Sequence, residues 1–190
     1  MLSELFTSLR IAALSIVVCV IGYGTIVLGS AMLIAPDARL GGLVIVDGAV
    51  VGSGQIAQAF TRPEYLWPRP SAVNYAASAT GGSNLSPASP VIRERAEGLL
   101  AKLGATPERP APAELLLASG SGIDPHITET AALYQADRIA VARGIPANEV
   151  RHLIAGSATP IGPGDPARIL NVLLFNIELD RRFPIPASGK

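Results

Sequence analysis

The sequence predicts an α+β protein: one N-terminal transmembrane helix followed by a small mixed α/β domain. Three features predict it. Residues 11–36 form an uncharged run of 26 residues. Two Val-rich segments flank Asp47-Gly48. Beyond residue 88, four segments place apolar residues at helical spacing between caps and stops. Two strands, one further short strand and four helices, without regular alternation, suggest the α+β type.

Composition narrows the function classes. The chain has 190 residues, room for one ordinary domain with an appendage. Fifteen basic and fifteen acidic side chains cancel, so no basic face marks a nucleic-acid partner. One cysteine, Cys19, excludes an internal disulfide and a Cys-based zinc site, and two His exclude a multi-His metal centre.

About 20 apolar residues span the ~30 Å core of a bilayer, so residues 11–36 are long enough to cross with some tilt. A cleaved secretory signal is the alternative. Its apolar core is shorter, about 7–15 residues, and here apolar residues continue past Gly29-Ser30-Ala31, the one passable cleavage site. A retained anchor is the stronger reading. Arg10 precedes the span, while Asp37 and Arg39 follow it. The positive-inside rule then sets residues 1–10 in the cytoplasm and residues 37–190 as an extracytoplasmic domain, by one charge. Gly22, Gly24, Gly29, Ser30 and Ala31 would let a second helix approach closely.

Val44-Ile45-Val46 and Ala49-Val50-Val51 form a β-hairpin, because Asp-Gly suits a two-residue turn with positive φ. Residues 61–90 are rich in Pro, Ser, Gly and Asn and lack an apolar period, so they make a long ordered loop or a partner-facing segment. Ser89-Pro90 starts a helix that ends at Gly104, with Ile92, Ala96, Leu99, Leu100 and Leu103 as its stripe. Residues 114–118 read as a short buried strand leading into Ser119-Gly120-Ser121-Gly122. Thr128 caps a helix ending at Arg143-Gly144, with Ala132, Ala136, Ile139 and Ala140 inward. Asn148 caps a third helix bearing Val150, Leu153 and Ile154. Asp165-Pro166 opens the last, with Leu170, Leu173, Leu174 and Ile177 at i, i+3, i+4, i+7.

Residues 118–128 carry the densest polar cluster. Ser119, Ser121, Asp124 and His126 include the residue types of a hydrolase triad. The nucleophile-elbow spacing fails, because Ser121 has Gly on both sides. A structural turn is the stronger reading: Gly supplies positive φ, Asp124 caps, and Pro125 fixes the entry. A phosphate loop needs a Lys after its glycines, and no Lys lies between Lys102 and Lys190. Backbone amides there retain only a weak capacity to cradle an anion. Gly81-Gly82-Ser83-Asn84 is a second polar turn, and Asn84-Leu85-Ser86 matches a glycosylation sequon. Asn171 and Asn176 sit on an otherwise apolar helix, where a buried, satisfied amide is the default and an inter-subunit hydrogen bond the sharper alternative.

These segments, in this order, resemble the KdpC family, the C subunit of the Kdp potassium-transporting P-type ATPase. The marks are Gly52-Ser53 to Gln58 and Phe60, Trp67-Pro68-Arg69-Pro70-Ser71, Gly81 to Leu85, Ser119 to Ile127, Gln135 with Arg138, Arg143-Gly144, and Asn171 with Asn176. Departures include Gln55 and Ala57 where the family usually has Leu and Gly, Asn74-Tyr75 in reversed order, and Ala79-Thr80 inserted before the Gly pair. The resemblance implies a single-pass inner (cytoplasmic) membrane subunit with no catalytic site of its own. Its partners would be a channel-like K⁺-binding subunit and a P-type ATPase subunit. No cofactor is bound covalently, K⁺ is handled by the partners, and ATP is reached through the complex, whose ATP affinity the subunit raises. Gly81, Gly82, Ser83, Asn84, Ser119, Ser121, Asp124, His126, Gln135 and Asn171 are the candidate ligand or partner contacts. A small-ligand or nucleotide-binding module and a serine hydrolase are the rival functions.

Overall fold

The computed structural model describes residues 2–35 and 41–185. Pro36, Asp37 and Arg39, which close the span and bear on its orientation, lie outside the described residues, as do residues 186–190. The chain falls into two units, residues 1–43 and 44–190.

The first unit is helical from Leu2 to Ile34, 33 residues. It comprises α1 (Leu2–Ile16), a π-helical turn (Val17–Gly22) and α2 (Tyr23–Ile34). At 1.5 Å per residue its length is about 50 Å, well beyond a ~30 Å hydrocarbon core. The helix thus starts nine residues ahead of the uncharged run. In that extension Leu2, Leu5, Phe6 and Leu9 share a face at i, i+3, i+4, i+7, with Glu4 and Arg10 among the polar positions. The hydroxyls follow the rule that polar groups in lipid must be satisfied internally: Thr25 donates to the Ile21 carbonyl at 2.7 Å and Ser30 to the Ile26 carbonyl at 2.8 Å.

The hairpin, β1 (Leu43–Val46) and β2 (Ala49–Ser53), starts at the boundary residue Leu43 and otherwise opens the second unit. Asp47 and Gly48 have φ of 51° and 78°, the pair of positive values that the Asp-Gly turn requires. No helix or strand follows until α3 (Pro90–Leu103). Gly104 closes α3 in the left-handed conformation, φ 63°. Ser89 occupies the cap position, yet its hydroxyl makes no cap bond, and no residue of α3 is fully buried.

The core lies where α4 (Glu129–Arg143) and α5 (Ala147–Ser157) pack on each other. Ala131, Ala132, Ala136 and Ala140 let the axes approach, and Ile139, Val150, Leu153 and Ile154 fill the seam. Thr128 caps α4 by accepting from the Ala131 amide, and Gly144 ends it at φ 67°. A three-stranded antiparallel sheet completes the core, in the order β3 (His126–Thr128), β5 (Arg168–Asn171), β4 (Thr159–Pro160). Its register pairs Ile127 with Leu170 and Thr159 with Ile169. The last helix, α6 (Val172–Arg182), buries Phe175 and Leu179.

Three expectations are corrected. Residues 114–118 are not a strand: Ala113–Leu115 is a single 3-10 turn that buries only Leu115. Glu114 is drawn instead to Thr128, accepting from its amide and its hydroxyl, which ties the turn to the start of α4. The last helix does not open at Asp165-Pro166. Asp165 accepts from the Ala167 amide at 2.8 Å, a local turn, and the chain pairs as β5 before Asn171 caps α6. Leu170 is therefore a strand residue, and Leu174 points outward, 49% exposed. α5 starts at Ala147, with Pro146 rather than Asn148 at the cap.

Candidate functional site

Two polar loops distant in sequence meet in the second unit. The Ser119 amide donates to the Pro70 carbonyl at 2.9 Å, and the Gly81 amide to the Ser121 carbonyl at 2.8 Å. Glycine makes this approach possible. A Cβ on Gly122, whose φ is +71°, would stand 2.5 Å from a Val73 methyl and 2.7 Å from the Gly81 carbonyl oxygen. A Cβ on Gly82 would meet the Gly120 carbonyl oxygen at 3.1 Å. The far side of the 119–125 loop is fixed as well: Ala57 donates to the Ile123 carbonyl at 2.8 Å and Val172 to the Pro125 carbonyl at 2.9 Å.

Charge is matched inside the junction. Asp124 accepts from the Arg69 guanidinium at 3.3 Å and from the His126 amide at 3.0 Å, and its carboxylate lies 3.7 Å from His126 Nδ1. Ser121 Oγ accepts from the Ile123 amide at 3.2 Å. Among the described residues no hydrogen bond joins Ser119 or Ser121 to His126, so the nucleophile–base contact of a hydrolase is not assembled. Nor do three or more His, Cys, Asp or Glu residues converge as a metal site among the described residues.

Gly81, Gly82, Ser119, Ser121, Asp124 and His126 thus come together. Ser83 continues from Gly82, and Asn84 is exposed at φ 50°. Asn171 lies opposite His126 in the β3–β5 pair. It accepts from the Leu174 amide as the α6 cap and donates to the Gly54 carbonyl at 2.6 Å. Gln135 serves a second cluster, the anchorage of residues 62–67. Its side chain accepts from the Trp67 amide at 2.9 Å and donates to the Trp67 carbonyl at 3.1 Å. Asn176 does the same for Leu66, at 2.8 and 3.0 Å.

Three residues of this anchorage carried no assigned role in the sequence. Arg138 donates to the Pro63 carbonyl at 2.5 Å and the Tyr65 carbonyl at 3.0 Å, and its guanidinium stacks 3.6 Å from the Trp67 ring centroid. Burial pulls its pKa down to about 10, so it remains charged at neutral pH. Arg143, its side chain 1% exposed, donates to the Glu64 and Phe183 carbonyls and pairs with Asp180 at 2.7 Å. Lys102 lies 4.9 Å from the same Trp67 ring. The usable signal was the pairing of a lone Trp with helix-borne Arg and Gln residues.

A helix of membrane-spanning length, joined to an α+β domain whose polar loops hold one another in place, defines the class: a domain carried on a candidate membrane anchor. Comparison with known proteins narrows it. The family model for KdpC, the K⁺-transporting ATPase c chain, matches residues 5–181. A Potassium-transporting ATPase KdpC subunit from Parvibaculum lavamentivorans is 47% identical over 184 residues, covering 95% of this chain and 97% of the relative. That of Polaromonas naphthalenivorans is 43% identical, covering 89% and 90%, and that of Synechocystis sp. 40%, covering 96% and 100%. The chain belongs to the KdpC family and is an accessory subunit of a Kdp K⁺-transporting ATPase complex.

Proposed function

We propose that this chain is a non-catalytic subunit that stabilises pump assembly and raises the ATP affinity of a P-type ATPase partner by an indirect route. The observation that carries the reading is the loop junction. Asp124 is engaged by the Arg69 guanidinium and the His126 amide, Ser121 Oγ by the Ile123 amide, and the two serines make no hydrogen bond to His126 among the described residues. Ordered polar loops on a scaffold commonly carry recognition. The exposed parts of residues 61–90 and 118–128 are the partner contacts in this reading, and a channel-like K⁺-binding subunit is the neighbour.

The N-terminus is cytoplasmic and the α+β domain extracytoplasmic in the same proposal, in the inner membrane. A domain so placed does not reach cytoplasmic ATP. Its effect on ATP must then come from contacts that differ between pump states, because only differential binding shifts such an equilibrium.

The test is affinity co-purification of the tagged full-length chain from its own membranes, grown at low K⁺, in mild detergent. Recovery of a channel-like protein and a P-type ATPase is the expected result. Recovery of this chain alone overturns the proposal. A rise in melting temperature of the isolated chain with millimolar ATP would favour direct nucleotide binding instead.

A further inference from the structure

A cleft of about 200 Å³ lies between α3 and the segment at residues 59–75. Its walls are apolar and aromatic: Phe60, Trp67, Tyr75, Leu99 and Leu103 line it. Lys102 is the one charged side chain among its lining residues. The ordinary explanation of Lys102 is that a cation suits the last turn of a helix. That explains the charge on α3 but leaves the open, aromatic cleft beside it unexplained.

Two cations converge on Trp67 without a carboxylate between them. Arg69, Arg143 and Arg168 each have a carboxylate, at 3.3, 2.7 and 3.2 Å. Lys102 and Arg138 both approach the Trp67 ring, at 4.9 and 3.6 Å from its centroid. Among the described residues, neither has a carboxylate within ion-pair distance. The indole face offsets part of this positive charge but supplies no anion. Arg138 is occupied with the Pro63 and Tyr65 carbonyls, whereas the Lys102 ammonium, on the exposed side of α3, retains free donors.

We infer that this cleft binds a small organic monoanion with an aromatic or short acyl body. The body lies against Trp67, Tyr75 and the two leucines, and the anionic group meets Lys102. Size agrees with the chemistry. Drug-sized ligands occupy about 300–1,000 Å³, so this cleft admits a single ring or a short chain. The cleft adjoins the loop junction at Pro70, but the inference does not depend on the role proposed for that junction.

Trp67 is the only tryptophan, so its fluorescence reports the cleft directly. The experiment titrates 3-phenylpropionate into the full-length chain in mild detergent, with the uncharged amide of the same acid as the comparison. A saturable change in Trp67 emission is expected. Lys102→Gln should weaken 3-phenylpropionate about tenfold, the size of one charge-assisted contact at an exposed site, and leave the amide unchanged. Lys102 is exposed and outside the core, so the variant tests the charge without unfolding the domain. An absence of saturable change up to tens of millimolar overturns the proposal, and so does equal affinity of the acid for the wild type and Lys102→Gln.

Discussion

Gln135 and Asn176 do for residues 66 and 67 what a neighbouring strand would do. Each primary amide sets an acceptor oxygen beside a donor NH2 group, spaced like the two polar groups of a peptide unit, so each satisfies both backbone groups of one residue. A chain segment with no secondary structure can be buried only on that condition. Gln135→Leu should therefore cost about 2–4 kcal/mol, because it leaves two polar groups of Trp67 unpaired. Urea unfolding followed through Trp67 emission measures it as a lower midpoint at unchanged slope. Tyr75 gives a pH-dependent counterpart. Its phenol donates to the Arg69 carbonyl at 2.9 Å, and burial raises its pKa above the ordinary 10.0. The folded state therefore favours the protonated phenol. That stability is fully present below pH 10 and is lost as pH rises through the raised folded value. Tyr75→Phe should lose about 1 kcal/mol at neutral pH and should unfold less steeply than the wild type above pH 10, as thermal melts across pH 8–11 would record.

Local elements were legible in proportion to how local their causes are. The hairpin, the glycine ends of α3 and α4, and the Thr128 cap all depend on backbone preferences within a few residues, and the sequence locates each one. The three strands of the central sheet were not legible. They are two to four residues long, too short for an alternating pattern, and β3 and β5 exist because they pair across a separation of 43 positions, as with Ile127 and Leu170. The supposed strand at 114–118 failed for the complementary reason: an apolar run without a partner strand does not become one. The loop junction lies between these cases. Its glycines were visible, but the need for them arises from the opposite loop. Gly122→Ala should destabilise the domain by about 2 kcal/mol or more, through positive φ and the clash with Val73. Gly120→Ala, which meets nothing within 4 Å, should be neutral within about 0.5 kcal/mol. Differential scanning of the two variants makes the comparison, and equal losses would show that the junction does not depend on close approach.

At the scale of the whole molecule, the N-terminal helix and the α+β domain are separate units, so their contributions can be tested apart. An added Cβ meets nothing within 4 Å at Gly29 and only the Val17 carbonyl oxygen at 3.5 Å at Gly22. The helix itself therefore accepts larger residues at both sites, and any consequence belongs to a partner. Gly22→Leu with Gly29→Leu should reduce the yield of the complex in mild detergent while leaving the melting temperature of the α+β domain unchanged. Unchanged yield would place partner packing on another face. The sequence by itself determined the apolar helix of membrane-spanning length, the class of the domain, the family and the ends of several elements, because hydropathy, turn chemistry and motif order are carried by neighbouring residues. Only the tertiary structure decided which candidate residues share a site, that Gln135 supports Trp67 rather than the loop junction, and that Lys102 faces an aromatic cleft. Those facts depend on packing between segments some 35–110 residues apart, such as Lys102 on Trp67 and Asn176 on Leu66, and no local rule encodes such contacts.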